Sequence, residues 1–327
     1  MITIPGYSGC QTKLFRRGDS YLIEKSTEDP NYVPRLLKQR DKQIEFFHSN
    51  KLPEVIVPQV LYTRKTVVEE DPQYDSATRC VTSKSSVIHC TVAMNFLHHT
   101  DALTFLNKAS VGKIRQFTNI LLKIMDQYTS LCSVAAVSVE KVFISKLDDI
   151  ARVVARNECI NASVQRRVCE DIITNAKKLF REHGEEILLP IGACHGDLTL
   201  SNILIRDDSS SLSVVLIDFL DNFVESPLAD LAKLNQDLAY GWTLRLMTAS
   251  ENKKEGDRHF NALSLFTVFK SIREVLETRY SEFSWYRNFF HLMALMNQLR
   301  VLQYSKDPSA TDYLVKTIEM EFQKLTK

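Results

Sequence analysis

Several features that would assign a chain of this size to a specialised class are missing from this sequence. Its 41 basic and 40 acidic residues give a formal net charge of +1, so overall charge predicts neither a nucleic-acid partner nor capture by an anionic membrane. It has no apolar run of about 18 residues, the length that a membrane-spanning helix needs. The first residues, Met-Ile-Thr-Ile-Pro-Gly, lack the basic region and long apolar stretch of a signal peptide. The sequence therefore predicts a cytoplasmic protein without membrane insertion.

The cysteines also lack the spacing of a metal or redox site. None of the seven pairs as C-x-x-C, and none has a nearby histidine at zinc-finger spacing, so we predict reduced thiols. The composition, 44% hydrophobic and 25% charged over 327 residues, is typical of one large or two modest globular domains.

The first ninety or so residues read mostly as strands. Leu14–Arg16 and Tyr21–Lys25 flank the turn signal Arg-Gly-Asp-Ser and predict a hairpin. Residues 55–62 and 86–94 are further strand candidates because they are rich in Val, Ile and Thr. Between them, apolar residues at helical spacing predict an amphipathic helix over 34–49.

The rest of the chain reads mostly as helix. Residues 94–97 end a strand and lead through a short polar connection into a helical pattern that continues to residue 186. Two short strands are predicted on either side of residues 206–211, and the pattern is helical again after residue 227. We predict an α+β chain with an N-terminal lobe over 1–93, a hinge over 94–98 and a larger, mainly helical lobe over 99–327.

The most informative segment is Cys-His-Gly-Asp-Leu-Thr-Leu-Ser-Asn-Ile-Leu-Ile, residues 194–205, followed by Leu-Ile-Asp-Phe at 216–219. Asp197 and Asn202 are five positions apart, which is the spacing of the kinase catalytic loop. Asp197 is the candidate base, and Asn202 and Asp218 are candidate magnesium ligands, since magnesium takes few protein oxygens. Aspartate and asparagine are common in turns, so each alone is weak evidence, but the joint pattern is much less frequent by chance.

This motif resembles the aminoglycoside phosphotransferase and choline kinase superfamily, which has a two-lobe protein-kinase-like fold. The resemblance continues in Ser-Pro-Leu-Ala-Asp-Leu-Ala at 226–232, similar to the Pro-x-x-Asp-Leu-Ala element of that superfamily. It implies that Asp230 braces the catalytic loop and that His195 orients it. The stretch after Asp218 also resembles phosphotransferases associated with surface polysaccharides.

The resemblance implies an ATP site in the N-terminal lobe and the hinge. Ser8 and Gly9 lie where the superfamily has its phosphate-covering loop, and Lys25 lies where it has its phosphate-binding lysine. Asp41 is the preferred acidic partner of Lys25, with Glu45, one turn later, as the alternative. The adenine-binding hinge would include the backbone of Met94 and Phe96.

The sequence therefore predicts a magnesium- and ATP-dependent phosphotransferase acting on a hydroxyl of a small molecule such as a sugar, polyol or amino alcohol. Two alternatives remain: a protein kinase, disfavoured by His-Gly-Asp and Ile-Asp-Phe, and a pseudokinase, disfavoured by the three intact polar residues. The identity of the acceptor and the oligomeric state stay open. Candidate acceptor-contacting residues are Asp221, Asn222, Glu225, Tyr240, Trp242 and Arg245.

Overall fold

The computed structural model of the chain describes residues 2–4, 10–69, 74–75, 80–81, 86–161, 165–208, 211–251 and 261–326. The strands are β1 (Ile2–Ile4), β2 (Gln11–Arg17), β3 (Ser20–Thr27), β4 (Val55–Ile56), β5 (Val60–Glu69), β6 (Tyr74–Asp75), β7 (Cys80–Val81), β8 (Ser86–Asn95), β9 (Thr100–Asp101), β10 (Ser133–Ser138), β11 (Glu186–Ile191), β12 (Ile203–Asp208) and β13 (Ser211–Leu216). The helices are α1 (Val33–Ser49), α2 (Ala102–Lys108), α3 (Val111–Ser130), α4 (Ser145–Arg156), α5 (Glu158–Asn161), α6 (Arg166–Glu182), α7 (Pro227–Leu238), α8 (Trp242–Glu251), α9 (Ala262–Tyr280), α10 (Ser284–Arg300) and α11 (Pro308–Leu325). A π-helix covers Val139–Ile144, and 3₁₀ turns cover Leu200–Asn202 and Val301–Tyr304.

The chain divides into two compact units. The first contains residues 1–99 together with 213–221, and the second contains residues 100–212 and 222–327. Residues 213–221, which include most of β13 and the Ile-Asp-Phe motif, thus pack with the N-terminal part of the chain. The exact limits of the lobes and of the hinge stay predictions.

The first unit is built on an antiparallel sheet with the strand order β1-β2-β3-β8-β5. The predicted hairpin is present, because β2 pairs with β3 from Gln11 opposite Ser26 to Arg17 opposite Ser20. Gly18 takes the positive φ of +62° that this tight connection requires and that glycine adopts at little cost. Helix α1 covers the predicted range and packs its apolar residues, Leu36 among them, against Val92 of β8.

The predicted strand over 55–62 is interrupted. The structure has two strands there, β4 and β5, with Pro58 between them. Proline has no N–H for the strand ladder, so the chain leaves one pairing and enters another at this point. Strand β4 pairs in parallel with β13, Val55 opposite Val214, while β5 pairs with β8 in the main sheet.

The second unit is mainly helical, but it contains one strand pair that the helical prediction up to residue 186 missed. Strand β10 pairs antiparallel with β11, from Ser133 opposite Ile191 to Ser138 opposite Glu186. Because its partner lies about fifty residues further along the chain, no local window of the sequence shows the pairing. The antiparallel sheet of the first unit and the mainly helical second unit together confirm the predicted α+β class.

Helix α7 forms the centre of the second unit. The Ser226 hydroxyl caps it by accepting a hydrogen bond from the Leu228 N–H, and Pro227 occupies the first turn, where a missing N–H costs nothing. Every residue of α7 is buried, although three of its residues are charged. None of the described helices is long and apolar enough to cross a membrane. Six of the cysteines are free thiols: Cys10, Cys90, Cys132, Cys159, Cys169 and Cys194.

Candidate active site

The backbone of the loop at residues 194–202 is fixed by one carboxylate of α7. Asp230, which has no exposed surface, accepts hydrogen bonds from the N–H of His195 at 2.5 Å and from the N–H of Gly196 at 2.8 Å. Gly196 has a φ of +87°, so the turn in His-Gly-Asp needs the freedom of glycine. The buried His195 ring accepts a hydrogen bond from the Asp197 N–H through Nδ1, at 3.3 Å. These contacts are those that the resemblance implied for Asp230 and His195.

Asp197 sits in this turn with both carboxylate oxygens engaged. Oδ1 lies 3.0 Å from Nζ of Lys233, and Oδ2 accepts a hydrogen bond of 3.1 Å from Nδ2 of Asn202. Its side chain remains 28% exposed, so solvent or an acceptor can reach it. Burial raises the pKa of Asp197, but the charge and hydrogen bond of Lys233, with the charge of Arg300, outweigh it and hold the pKa below its usual value. The carboxylate is therefore ionised and oriented.

The amide nitrogen and the amide oxygen of Asn202 have different roles. Nδ2 donates to the Asp197 carbonyl at 2.8 Å and to the Asp197 carboxylate at 3.1 Å. No described residue donates a hydrogen bond to its Oδ1, although the residue is only 8% exposed. An amide oxygen that receives no hydrogen bond from a described residue is a suitable ligand for a hard cation such as Mg²⁺.

Two loop-binding residues were missed by the sequence analysis. Lys233 pairs with Asp197, and the buried Asp237 accepts hydrogen bonds of 2.6 Å from the N–H of Leu200 and from the N–H of Thr243. Burial raises the pKa of Asp237 above its usual value. The sequence does contain a pattern that could have revealed them. Asp230, Lys233 and Asp237 follow the spacing i, i+3, i+7, so they lie on one helix face. That face of α7 holds the loop at three successive points.

The candidate acceptor-contacting residues of the second unit have structural partners. Asn222 donates from Nδ2 to the Gly196 carbonyl at 3.3 Å and accepts from the guanidinium of Arg300 at 2.8 Å. Glu225 accepts hydrogen bonds from the Cys194 thiol and from the Asn222 N–H. Two others pack among aromatic rings: Trp242 stacks on Tyr313, whose ring Arg245 also covers. The Tyr240 hydroxyl donates to buried Glu321.

The first unit pairs Lys25 with Asp218. Nζ of Lys25 donates to Oδ1 of Asp218, and the two side chains are 14% and 51% exposed. Burial lowers the pKa of Lys25, but the charge and hydrogen bond of Asp218 outweigh it, so the pKa lies above the ordinary value. Lys25 is therefore a fixed cation in this unit.

The backbone at Asp218 is strained. Its φ of +61° makes it the only residue other than glycine with a positive φ among those the structure describes. Such strain persists where the surroundings enforce it, and it concentrates at functional sites. Lys25 also lines a pocket in this unit together with Gln39, Gln43 and Phe219. The pocket thus combines two cations, since Arg40 also lines it, with two amides and an aromatic wall.

The predicted partners of Lys25 on α1 lie elsewhere. Asp41 is exposed and pairs with Arg40 at 2.5 Å, and Glu45 is also exposed. The residues that α1 contributes to the pocket of Lys25 are Leu36, Gln39, Arg40 and Gln43, and none of them is acidic. The prediction of Asp41 rested on its position in the sequence. Its helical phase, however, places the Asp41 carboxylate on the solvent side of α1. Ser8 and Gly9, the predicted phosphate-covering residues, lie outside the described residues.

The predicted hinge residues have different surroundings. Met94 belongs to β8, is buried in the apolar core of the first unit, and its sulfur accepts from Nε2 of Gln43 at 3.6 Å. The Phe96 N–H donates to the Tyr21 carbonyl at 3.0 Å. Because that N–H is already used, a backbone contact from Phe96 to an adenine base would have to come from its carbonyl.

We expect the substitution Asp230→Asn to destabilise the second unit. An amide offers one acceptor oxygen where the carboxylate offers two, so one of the two buried N–H donors loses its partner, at a cost of about 1–3 kcal/mol. The measurement is the urea midpoint of unfolding. The matched control is Asp171→Asn on the exposed face of α6. A midpoint equal to that of the control would contradict the bracing role.

Comparisons with known proteins agree with this architecture. Residues 73–234 match the model of the ecdysteroid kinase-like family. No protein of the curated set matches the chain.

Similar solved structures cover nearly the whole chain. A thermostable mutant of aminoglycoside phosphotransferase APH(4)-Ia is 10% identical with a TM-score of 0.58, over 99% of this chain and 94% of that chain. A glucosamine kinase is 10% identical with a TM-score of 0.55, over 96% and 78% of the two chains. A microcompartment-associated aminopropanol kinase is 13% identical with a TM-score of 0.51, over 96% and 88%.

At these identities the structural similarity shows the fold. The recognition made from His-Gly-Asp, Ile-Asp-Phe and the Pro-x-x-Asp-Leu-Ala element is confirmed. The chain has the protein-kinase-like fold that these solved structures share, and its residues 73–234 are similar to the ecdysteroid kinase-like family.

Proposed function

We propose that the protein transfers the γ-phosphoryl group of ATP to a hydroxyl group of a small molecule. Asp197 orients the acceptor hydroxyl and accepts its proton, Lys25 neutralises phosphate charge, and Asn202 and Asp218 are ligands of Mg²⁺. The backbone around Met94 and Phe96 contacts the base.

The observation that carries this proposal is the geometry of Asp197. A base for phosphoryl transfer must be ionised, oriented and accessible. Asp197 is paired with Lys233 at 3.0 Å, hydrogen-bonded by Asn202 at 3.1 Å and still 28% exposed. A turn aspartate with no chemical role would not need a buried lysine and a buried amide directed at its carboxylate, because burying both groups costs free energy.

The residues present suit Mg²⁺ and a nucleotide. Asn202 offers an amide oxygen that no described residue uses as an acceptor, and Asp218 offers a half-exposed carboxylate. Among the described residues there is no group of three or more His, Cys, Asp or Glu side chains that forms a metal cage. One amide and one carboxylate are typical for Mg²⁺, which keeps several waters and binds substrate phosphates. When bound, the ion would neutralise charge on the transferred phosphoryl group.

The known proteins with similar folds act on small molecules. The solved relatives are named as aminoglycoside, glucosamine and aminopropanol kinases, and one APH(4)-Ia structure is a ternary complex with ADP and hygromycin B. The matched family is named for ecdysteroids. These names define acceptor classes to test on this chain.

The test is an acceptor screen with γ-labelled ATP and Mg²⁺ across sugars, amino alcohols, aminoglycosides, nucleosides and ecdysteroids. We expect transfer to one class and loss of transfer when EDTA removes the metal. If nucleotide binds with Mg²⁺ but no acceptor class is labelled, the pseudokinase alternative holds and the proposed function is wrong. Label on serine, threonine or tyrosine of added protein, without label on small molecules, would favour the protein-kinase alternative.

A further inference from the structure

Lys233 is an unusual residue for its position. It lies in the middle of α7, where every residue is buried, and it is itself only 9% exposed. Burying an ammonium group costs several kcal/mol unless a charged partner compensates. An apolar residue would fill this part of the helix without that cost, so the lysine calls for an explanation beyond packing.

Lys233 contacts the catalytic loop, residues 194–202. Its Nζ lies 3.0 Å from Oδ1 of Asp197. The neighbouring charges on the same helix face act on the backbone of the loop: Asp230 accepts from His195 and Gly196, and Asp237 accepts from Leu200. Lys233 alone on that face binds the side chain that the proposed function uses as its base.

We propose that Lys233 is a positioning residue for phosphoryl transfer, which holds the Asp197 carboxylate in one orientation through their ion pair. This inference rests on the proposed function. The pair fixes one carboxylate oxygen, Asn202 fixes the other, and the carboxylate plane is thereby set. An oriented carboxylate leaves its remaining lone pairs directed at a single place for the acceptor hydroxyl.

Three substitutions separate charge from packing. Lys233→Met keeps the length and removes both charge and donor, Lys233→Gln keeps a donor without charge, and Lys233→Arg keeps the charge. We expect kcat to fall about 10- to 100-fold in the Met and Gln variants. KM for ATP should stay near that of wild type in all three variants, and the Arg variant should keep most of the wild-type kcat because it keeps the charged donor. The matched control is Lys316→Met on the exposed face of α11.

The outcomes separate a positioning role from a structural one. If Lys233 only neutralised buried charge in α7, the Met variant would lower the urea midpoint while the kcat of the folded protein stayed at the wild-type value, which would overturn the proposal. An unchanged kcat in the Met and Gln variants would overturn it too. If the Met variant does not fold, the comparison of Gln with Arg carries the test.

A readout that does not depend on activity separates this inference from the proposed function. Aspartate labelled with ¹³C at the carboxyl carbon reports the surroundings of the Asp197 carboxylate through its chemical shift at one fixed pH near neutral, assigned by the signal that disappears in Asp197→Asn. We expect this signal to move in Lys233→Gln and to stay near wild type in Lys233→Arg. An unchanged signal in Lys233→Gln would overturn the inference. Absence of transfer to every acceptor in wild type, with the change of the signal present, would overturn only the proposed function.

Discussion

Asp197→Asn is expected to lower kcat for phosphoryl transfer by about 10²- to 10⁴-fold, the range for removal of a positioned base. Asparagine has nearly the same shape, so the loop that Asp230 and Asp237 hold should keep its conformation. The amide cannot accept a proton from the acceptor hydroxyl, and it removes the anion that Lys233 faces. Nucleotide affinity should therefore stay close to wild type while turnover is lost.

The measurement pairs turnover with nucleotide binding. Transfer is followed with labelled ATP on the acceptor found by the screen, and ATP binding is followed by titration calorimetry with Mg²⁺ present. Asp171→Asn on exposed α6 is the control for a surface aspartate. Turnover equal to the control would remove Asp197 from the mechanism. A joint loss of binding and turnover would instead show that the variant had lost its structure.

The second large effect is expected at Asp218. Asp218→Asn should lower transfer by about 10²- to 10³-fold, because it replaces an anionic oxygen by a neutral one at the proposed magnesium ligand. Part of the lost transfer should be recovered at high Mg²⁺. A weaker ligand raises the Mg²⁺ concentration that is needed to fill the site but does not abolish the site. A magnesium titration of turnover measures this. Asp19→Asn, at the exposed β2–β3 turn, is the control.

The same substitution also tests the ion pair with Lys25. Asp218→Asn leaves Lys25, 14% exposed, beside a neutral group, at a cost in stability of about 1–2 kcal/mol. This is below the cost for a fully buried pair because Asp218 is half exposed. In the double variant Lys25→Met, Asp218→Asn no charge is left unpaired, so stability should return toward wild type while transfer stays lost. Additive stability losses in this cycle would show that the pair contributes nothing.

Local patterns predicted much of the first unit and failed where pairing was distant. The hairpin of β2 and β3 has a turn signal and two strand patterns within seventeen residues, and it is present. The strand pair of β10 and β11 was missed because neither strand carries information about a partner so far along the chain. The helical phase of α1 was decided by the sheet beneath it, which buries Gln39 and leaves Asp41 in solvent.

The candidate site shows the same division. Motif spacing predicted Asp197, Asn202 and Asp218 as site residues. Their catalytic and metal-binding roles stay predictions. Motif spacing did not predict that Asp218 pairs with Lys25, because those residues are 193 positions apart. Lys233 and Asp237 could have been found from the spacing after Asp230, but a charged residue at helical spacing most often faces solvent. Only the complete burial of α7 makes these charges informative.

The sequence by itself determined the chemistry that the catalytic loop can offer. His-Gly-Asp with asparagine five positions later requires a turn with a positive φ at Gly196, and that turn presents a carboxylate and an amide together. Tertiary structure decided how that carboxylate is held. Its orientation and its pKa depend on a lysine from another element, and the brace of the loop comes from a helix buried on all sides. Charges act through space and burial, and both quantities exist only once the chain has folded.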